Sequence, residues 1–283
     1  MLEKIIKSIL EEKNHSPKTS FYTKTQSRLL KELNKNNLKS KKKKITDISK
    51  IGKIIFPYYS MGAINSLHLF GLDEIIIFCY YYSSRFKYKN VADIGGNIGL
   101  HSIIMSKFFN NIDCYEPDPL HVKKIRSNLK LNKISNVKIF KKAVSNKKKK
   151  VEFIRVLGNT TGSHIKGSKQ NPYGKLKTLK IECVKFSKMV KKYDFIKIDT
   201  EGEEANLIKD TKKNDWKKTD AILEVGTREN AIQIYKHLKK LKMPMYSQKN
   251  NWRQVRKINQ MPFSHKEGSL FISKNNIFEL EKI

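Results

Sequence analysis

Cysteine is scarce in this 283-residue chain, and its three cysteines, Cys79, Cys114 and Cys183, are widely spaced. They form no CxxC pair, which argues against a zinc site or a disulfide framework and favours a reducing compartment. No apolar run approaches the roughly 20 residues that span a bilayer. Charged residues within the first ten positions also make a poor signal peptide. The composition therefore predicts a soluble, cytoplasmic protein without a transmembrane segment.

Arginine is rare as well, because lysine supplies 52 of the 59 basic residues. The formal net charge of +33 is large enough to suggest a polyanionic partner, either nucleic acid or a membrane surface. A groove that binds phosphates usually contains arginine, whose planar guanidinium matches phosphate geometry. Two interpretations therefore stay open: a polyanion-binding role, and a lysine-rich compositional bias of the source genome.

The composition divides the chain into two parts. Residues 1–66 form a lysine-rich extension with helical apolar spacing at 2–10 and 29–33 and a tetralysine at 41–44. From residue 67 to 283, short apolar runs rich in β-branched residues alternate with helical patterns. This alternation predicts one α/β domain preceded by a partly helical extension.

The order of the predicted elements specifies the fold class. Strands are predicted at 91–94, 112–115, 137–140 (extending towards 144), 151–156, 179–186, 195–198, 221–225, 243–246 and 269–273. Helices are predicted at 74–83, 100–109, after the N-cap residue Asp118, and at 203–209 and 230–241. The pattern indicates a doubly wound, Rossmann-like and mostly parallel sheet of the seven-stranded type, covered on both faces.

The segment from Val91 to Gly99, VADIGGNIG, ends a strand and begins a helix. Glycines in that position allow a ligand to approach the backbone closely, although a tight turn without a ligand is the alternative. The spacing differs from GxGxxG, and Asp93 precedes the glycines. A carboxylate there would repel a pyrophosphate but can pair with an ammonium group. The candidate binding residues of this loop are Asp93, Gly95, Gly96, Asn97 and Gly99.

Glu116 ends the next strand, followed by Pro117. It lies about 20 residues after the loop, where the acid of a Rossmann fold binds ribose hydroxyls. We therefore predict that Glu116 binds a ribose, the alternative being an ordinary surface carboxylate. Ala143, at the predicted end of the third strand, is a candidate for lining the base pocket of a nucleoside or is an ordinary core residue.

A third motif places carboxylates at the end of an apolar strand, at Asp199, Glu201 and Glu204. Clustered carboxylates raise each other's pKa and can act as a general base or hold a metal ion. A helix amino terminus that attracts acids through its dipole is the alternative, above all for Glu204. Glu224 follows the next strand, so the predicted catalytic residues are Asp199, Glu201 and Glu224. No histidine cluster accompanies them, and we predict no metal.

Taken together and in this order, the motifs resemble the FkbM methyltransferase family. The resemblance covers about residues 90–225. It rests on the DxGxNxG-type loop at 93–99, the Glu116-Pro117 pair, NLKLN at 128–132, AVS at 143–145 and IKIDxEGxE at 196–204. It implies S-adenosylmethionine as cofactor, whose ammonium and sulfonium groups suit Asp93, and O-methylation. Gly96 departs from the family pattern, in which alanine is commoner, and we expect this only to loosen the loop.

The sequence thus predicts an S-adenosylmethionine-dependent methyltransferase that acts on a hydroxyl of a sugar, glycan or other small metabolite. Asp199 is predicted to remove the hydroxyl proton, with Glu201 as a candidate helper, and His265 is a weaker candidate base. The lysine excess leaves an RNA ribose 2′-O-methyltransferase as the alternative, with nucleic acid bound at the basic surface. A non-enzymatic binding module that retains the fold is a third possibility.

Overall fold

The computed structural model describes residues 2–35, 45–62, 64–146, 150–159, 162–168, 174–275 and 277–278. The tetralysine at 41–44 lies outside these residues. The helices described are α1 (Leu2–Glu11), α2 (Ser20–Lys35), α3 (Leu72–Ser83), α4 (Leu100–Met105), α5 (Pro119–Leu131), α6 (Phe186–Met189), α7 (Glu204–Lys209) and α8 (Arg228–Lys240). The strands described are β1 (Ile45–Asp47), β2 (Lys53–Ile55), β3 (Asn90–Ile94), β4 (Asn111–Tyr115), β5 (Val137–Phe140), β6 (Ala143–Ser145), β7 (Lys150–Val156), β8 (His164–Ile165), β9 (Leu176–Lys185), β10 (Phe195–Ile198), β11 (Asp220–Glu224), β12 (Met245–Ser247), β13 (Arg253–Gln254) and β14 (Ser269–Ile272).

The main sheet is mixed and has eight strands in the order β13-β12-β14-β11-β10-β3-β4-β5. The neighbours from β11 to β5 are parallel, whereas β14, β12 and β13 are antiparallel additions at one edge. The α/β class is confirmed, and the sheet is mostly parallel as predicted, since four of its seven neighbouring pairs are parallel; it is nevertheless mixed, and it has eight strands instead of seven. A parallel pair needs a crossover of a dozen or more residues, whereas β12 and β13 are joined only by residues 248–252 and therefore run antiparallel.

Both faces of the main sheet are covered, as predicted. Successive residues of a strand point to opposite faces, so Phe195 packs into one hydrophobic cluster and Ile196 into the other. The first cluster contains side chains of α1, α3, α4 and α5, and the second contains side chains of α6, α7 and α8. The two layers of helices leave the carboxyl ends of the parallel strands as the edge at which the loops β3–α4, β4–α5 and β10–α7 meet.

A second, four-stranded sheet in the order β6-β9-β7-β8 lies beside that edge. Ala143 belongs to it, because β6 pairs in parallel with β9 through Ala143 and Cys183. The prediction that Ala143 ends the third strand of the main sheet is therefore wrong. β5 ends at Phe140, whose carbonyl accepts hydrogen bonds from the backbone N–H groups of Glu116 (3.1 Å) and Lys142 (2.8 Å), and the chain turns there into the second sheet.

The amino-terminal helices pack directly on the main sheet's first layer. The apolar face of α1, including Ile6 and Ile9, lies in the same cluster as α3. His15 is buried between α1 and Trp252: its Nε2 donates to the Ile9 carbonyl (2.9 Å) and its Nδ1 accepts from Trp252 Nε1 (3.1 Å). Burial lowers the pKa of His15 to about 4, so the ring is neutral at pH 7. Among the described residues no helix has the length and apolar character that crossing a membrane requires.

Candidate active site

A cleft of about 630 Å³ opens at the carboxyl ends of β3, β4 and β10. One wall is the β3–α4 loop with Glu116, and the opposite wall is the second sheet, which contributes Phe153 and residues 163–165. Asp199 closes one end of the cleft. The carboxyl edge of parallel strands is where α/β folds bind their ligands.

Gly95 brings the β3–α4 loop against the end of β10. Its φ is +82°, and a Cβ atom at this position would lie 1.7 Å from the carbonyl oxygen of Asp199. The backbone N–H of Asp199 in turn donates to the Ile94 carbonyl (3.0 Å). Any side chain at Gly95 would therefore push the loop and Asp199 apart.

Gly96 has a different neighbour, the thiol of Cys114 on β4. A Cβ atom at Gly96 would lie 2.3 Å from Cys114 Sγ, and Cys114 is fully buried. The expectation that glycine here only loosens the loop is corrected: the glycine makes room for a neighbouring cysteine, and alanine does not fit without displacing it.

Glu116 is buried at the centre of the cleft and is fixed by backbone groups. Its Oε2 accepts from the N–H of Asn97 and its Oε1 accepts from the N–H of Asp118, both at 2.8 Å. Burial raises the pKa of Glu116 to about 8, against the lowering effect of these two hydrogen bonds. Glu116 thus ties the glycine loop to the end of β4, and each of its oxygens retains a further lone pair for a ligand hydroxyl.

Asp93 lies fully buried behind the loop. Its Oδ2 accepts from Ser102 Oγ (2.6 Å), whereas its Oδ1 has no hydrogen-bond partner among the described residues and lies 4.0 Å from Lys197 Nζ. Asn97 Oδ1 is likewise buried without a hydrogen-bond partner in the described part of the chain. Buried acceptors are normally satisfied. Of these two residues only Asn97 lines the cleft, and Asp93 contributes its negative charge from behind the loop.

A second cavity of about 390 Å³ lies on the other side of Asp199. Asp199 Oδ2 is 3.2 Å from Lys197 Nζ, and both side chains line this cavity with Glu224, Glu74 and Asp73. Burial raises the pKa of Glu224 well above its ordinary value, and the negative charges of Asp199 and Glu74 raise it further. A carboxyl group with a raised pKa holds a proton more tightly than an ordinary carboxyl group does.

Lys197 is the buried cation of this region. Burial alone would lower the pKa of its ammonium, but the charges of Asp199, Asp93 and Glu74 outweigh burial and raise it. The sequence analysis missed Lys197. A signal for it exists, because a lysine inside the otherwise apolar strand FIKI of a two-sided sheet has to be buried.

The other acids of the third motif have different surroundings. Glu201 lines the cleft. Glu204 is buried, and its oxygens accept from the backbone N–H groups of Thr200 (3.0 Å) and Gly202 (3.1 Å) and from Asn230 Nδ2 (3.0 Å). These bonds fix the turn after β10. Glu204 is therefore part of the scaffold of the turn.

The structure brings most of the predicted site residues to the two cavities. The cleft is lined by Gly95, Asn97, Glu116, Ala143, Asp199 and Glu201, and the second cavity is lined by Asp199, Glu224 and the exposed His265. Asp93, Gly96 and Gly99 are not among the lining residues. In the described residues no group of three or more histidine, cysteine or acidic side chains is arranged to hold a metal ion.

A glycine loop and a buried acid at adjacent strand ends are typical of α/β proteins that bind a nucleoside-containing cofactor. The chain belongs to the FkbM methyltransferase domain family, whose model matches residues 93–258. It therefore carries a methyltransferase domain over more than half of its length. No curated protein matches the chain.

Several solved structures are similar to this chain at low sequence identity. The FkbM methyltransferase from Methylobacillus flagellatus KT is 12% identical over 65% of this chain and 43% of that chain, with a TM-score of 0.40. The present chain thus spans less than half the length of that protein. The Streptococcus mutans protein SMU.1697c, in complex with SAH, is 10% identical over 69% of this chain and 96% of that chain, with a TM-score of 0.38. Precorrin-6y C5,15-methyltransferase from Geobacter metallireducens GS-15 is 14% identical over 67% and 82%, with a TM-score of 0.37.

Proposed function

We propose that this protein is an S-adenosylmethionine-dependent O-methyltransferase on a Rossmann-like fold, acting on a hydroxyl of a sugar, glycan or other small metabolite. The observation that carries the proposal is the pair of cavities that share Asp199. One is a cleft built around the backbone-fixed Glu116, and the other is a carboxylate-lined cavity built around Glu224. A transfer reaction needs two adjoining sites of this kind, so that donor and acceptor meet at one point.

The residues of the cleft suit the parts of the cofactor. Glu116 accepts hydrogen bonds from the ribose hydroxyls. Asp93 lies behind the loop, outside the lining of the cleft, and favours the ammonium of the amino-acid part through its negative charge, while Asn97 lines the cleft beside it. Ala143 contributes to the wall of the base pocket. S-adenosylmethionine supplies an electrophilic methyl group, and the chain's own residues have to position the acceptor oxygen and remove its proton.

Within this proposal Glu224 removes the acceptor proton and Asp199 orients the hydroxyl. Glu224 lies in the second cavity and has no ion-pair partner within 4 Å among the described residues, and burial raises its pKa, whereas Asp199 is already engaged in an ion pair with Lys197 at 3.2 Å. Glu201, at the mouth of the cleft, adds negative charge beside Glu224 and helps to keep its pKa high. This assignment extends the sequence prediction, in which Asp199 and Glu201 were the main candidates for the base.

The second cavity argues against RNA as the acceptor. Four carboxylates face it, Asp73, Glu74, Asp199 and Glu224, against one lysine. A phosphodiester backbone would be repelled by this charge at the point where the methyl group is transferred. A neutral or cationic hydroxyl compound fits the cavity better, and we propose that the lysine excess elsewhere does not define the acceptor.

The first test is isothermal titration with S-adenosylhomocysteine of the wild type, of Glu116→Ala and of a matched control, Glu152→Ala, whose exposed carboxylate pairs with Lys166 away from the cleft. We expect micromolar binding to the wild type and the control, and a loss of at least tenfold in Glu116→Ala. Folded wild-type protein that does not bind S-adenosylhomocysteine would contradict the proposal.

The acceptor class is tested by the release of S-adenosylhomocysteine from S-adenosylmethionine in the presence of candidate acceptors. The panel contains neutral sugars, amino sugars and short RNA oligonucleotides. We expect turnover with members of the sugar groups and none with RNA. Turnover with RNA alone, falling steeply as salt is raised, would favour the ribose 2′-O-methyltransferase.

A further inference from the structure

The amino ends of the parallel strands form an edge of the main sheet that lies opposite the cleft. Residues 84–89 lead into β3, residues 190–194 lead into β10 and residues 217–219 lead into β11, so the three segments meet at this edge. Exposed lysines are concentrated there: Lys87, Lys89, Lys191, Lys192, Lys217 and Lys218. These six lysines and the neighbouring Phe86 are called the basic edge below.

Backbone hydrogen bonds join the three segments into one continuous surface. The N–H of Asp194 donates to the carbonyl of Asn90 (2.8 Å), and the N–H of Asp220 donates to the carbonyl of Asp194 (3.0 Å). The segments therefore lie side by side in the order of the strands that they precede, and their lysines belong to a single face of the molecule.

The carboxylates of this region leave most of that positive charge unbalanced. Asp220 is fully buried, where it pairs with Lys87 at 3.1 Å, and Asp194 accepts from the backbone N–H groups of Lys89 (3.0 Å) and Asn90 (2.9 Å). Within the described part of the chain, the other five lysines of the basic edge form no ion pair. The basic edge therefore presents a net positive charge to solvent.

Phe86 is an exposed aromatic side chain on this charged surface. It is 85% exposed, in the turn that follows α3. Its neighbour Arg85 lies between two rings, with the guanidinium 4.3 Å from the centre of the Tyr82 ring and 4.5 Å from that of Phe86, and Arg85 Nη1 donates to the Tyr82 carbonyl (2.8 Å). Phe86 is thus held outwards, and an apolar group exposed in this way is typical of an interaction site.

We propose that the basic edge docks the protein on an anionic lipid bilayer. The lysines lie against the charged headgroups, and the ring of Phe86 inserts at the boundary between headgroups and acyl chains. Lysine suits this partner, because a compact ammonium needs no fixed phosphate geometry. RNA would favour arginine, yet Arg85 is the only arginine of the three segments, and its guanidinium is already engaged by Tyr82 and Phe86.

The docked orientation leaves the cleft free. Since the cleft opens at the carboxyl ends of the strands, it faces away from a bilayer that contacts their amino ends. The inference does not depend on the proposed function, because it uses no residue of the two cavities.

Sedimentation of the full chain with vesicles tests the proposal. We expect the protein to bind vesicles of phosphatidylcholine containing about one third phosphatidylserine, to bind pure phosphatidylcholine vesicles at least tenfold more weakly, and to be released as salt is raised. Phe86→Ser should weaken binding about tenfold, the effect of losing one buried aromatic ring. Failure of the wild type to bind the phosphatidylserine vesicles would overturn the proposal.

A matched pair of double variants separates location from total charge. Lys89→Gln/Lys217→Gln removes two charges of the basic edge and should weaken binding about tenfold. Lys177→Gln/Lys180→Gln removes the same charge from exposed positions of β9 in the second sheet, and binding should stay within about twofold. Equal losses in both variants would show attraction by net charge alone and overturn the proposal.

Insertion of residue 86 is measured with the variant Phe86→Trp. The native tryptophans, Trp216 and Trp252, are only 1% and 8% exposed, so a change in emission reports on position 86. With phosphatidylserine vesicles we expect a shift to the blue and less quenching by acrylamide. Unchanged emission from vesicle-bound protein would overturn the proposal, and so would binding of a single-stranded RNA through the basic edge without binding to the vesicles.

Discussion

The cleft around Glu116 and the cavity around Glu224 share Asp199 but hold their carboxylates in opposite ways. Both oxygens of Glu116 accept hydrogen bonds from backbone N–H groups, so its position is set by the loop and by the start of α5. The carboxyl group of Glu224 has no hydrogen bond to any of the described residues, and its pKa is raised first by burial and then by the negative charges of Asp199 and Glu74. In the proposed function the first carboxylate binds the cofactor and the second takes up the acceptor proton.

The difference follows from the strands that carry the two residues. Glu116 ends a central parallel strand whose neighbouring loop folds back over it and offers N–H donors. Glu224 ends β11, which lies where the parallel part of the sheet meets the antiparallel strand β14. No glycine loop covers β11 among the described residues, so its end stays open to a substrate.

The largest effect on stability is expected at Gly95, where the glycine loop contacts Asp199, the residue that both cavities share. Gly95→Ala places a Cβ 1.7 Å from the Asp199 carbonyl and forces a left-handed φ on alanine. We expect a loss of about 3–5 kcal/mol in the free energy of unfolding, the range of severe backbone clashes. Urea denaturation measures it. Gly226→Ala is the matched control, because a Cβ there meets no atom within 4 Å. An unchanged midpoint for Gly95→Ala would mean that the loop does not lie on β10.

The Glu224→Gln variant tests most directly whether the two carboxylates have different roles. The amide cannot take up a proton, so turnover with an acceptor found in the panel should fall by about 10²–10⁴-fold, the usual effect of removing a general base. The affinity for S-adenosylhomocysteine should stay within about twofold, since Glu224 does not line the cleft. Turnover and titration are measured on the same preparation. Full turnover in Glu224→Gln would contradict this assignment and indicate that Asp199 is the base.

Variants of Gly96 and Cys114 test the packing of the glycine loop on β4, and they leave the second cavity unchanged. Gly96→Ala should destabilise the fold by about 1–3 kcal/mol, because its Cβ lies 2.3 Å from Cys114 Sγ. The double variant Gly96→Ala/Cys114→Ala should recover part of that loss, since the smaller side chain removes the clash. A double-mutant cycle in urea measures the coupling. Strictly additive losses would show that the two side chains do not compete for the same space.

The smallest effect is a pH dependence set by Glu116. Ribose hydroxyls donate best to the ionised carboxylate, and burial raises the pKa of Glu116 to about 8. The affinity for S-adenosylhomocysteine should therefore increase about tenfold between pH 7 and pH 9, as the ionised fraction approaches one. Titration at several pH values measures it. Glu116→Gln should bind weakly with no such increase, and the same increase in that variant would assign it to another group.

The stability of the free protein should show the opposite trend. A carboxyl group whose pKa is raised on folding stabilises the native state below its unfolded pKa of about 4.5 and loses that contribution as the pH rises through about 8. Between pH 5 and pH 9 the wild type should thus lose more stability than Glu116→Gln. Urea midpoints across this range give the difference.

Most of the cleft could be predicted from local sequence signals. The loop at 91–99 and the Glu116-Pro117 pair each follow a strand whose apolar run is short and clear, and parallel strands place their carboxyl ends at one edge. Residues such as Asp93 and Glu116 are therefore brought together by the fold class alone. The antiparallel edge formed by β12, β13 and β14 could not be deduced in this way, because the direction of a strand depends on the path of the connection that precedes it.

The second sheet was the part least accessible from sequence. The sequence predicts that Ala143 continues β5, but the turn at Phe140 moves it into a different sheet. His164 lies in a polar stretch without periodicity, so nothing in the residues around it indicates that it is buried against the cleft. Gly96 could not be interpreted without Cys114, which lies on another strand. Pairs of residues far apart in sequence determine these features.

A crystal structure of the complex with S-adenosylhomocysteine tests the central claim most directly, because it locates the ligand relative to both cavities. The account predicts density along the cleft, with the ribose hydroxyls on Glu116, the sulfur beside Asp199, the base against β7 and β8, and the cavity around Glu224 left to the acceptor. Density in the cavity around Glu224, or a ribose bound without contact to Glu116, would contradict it.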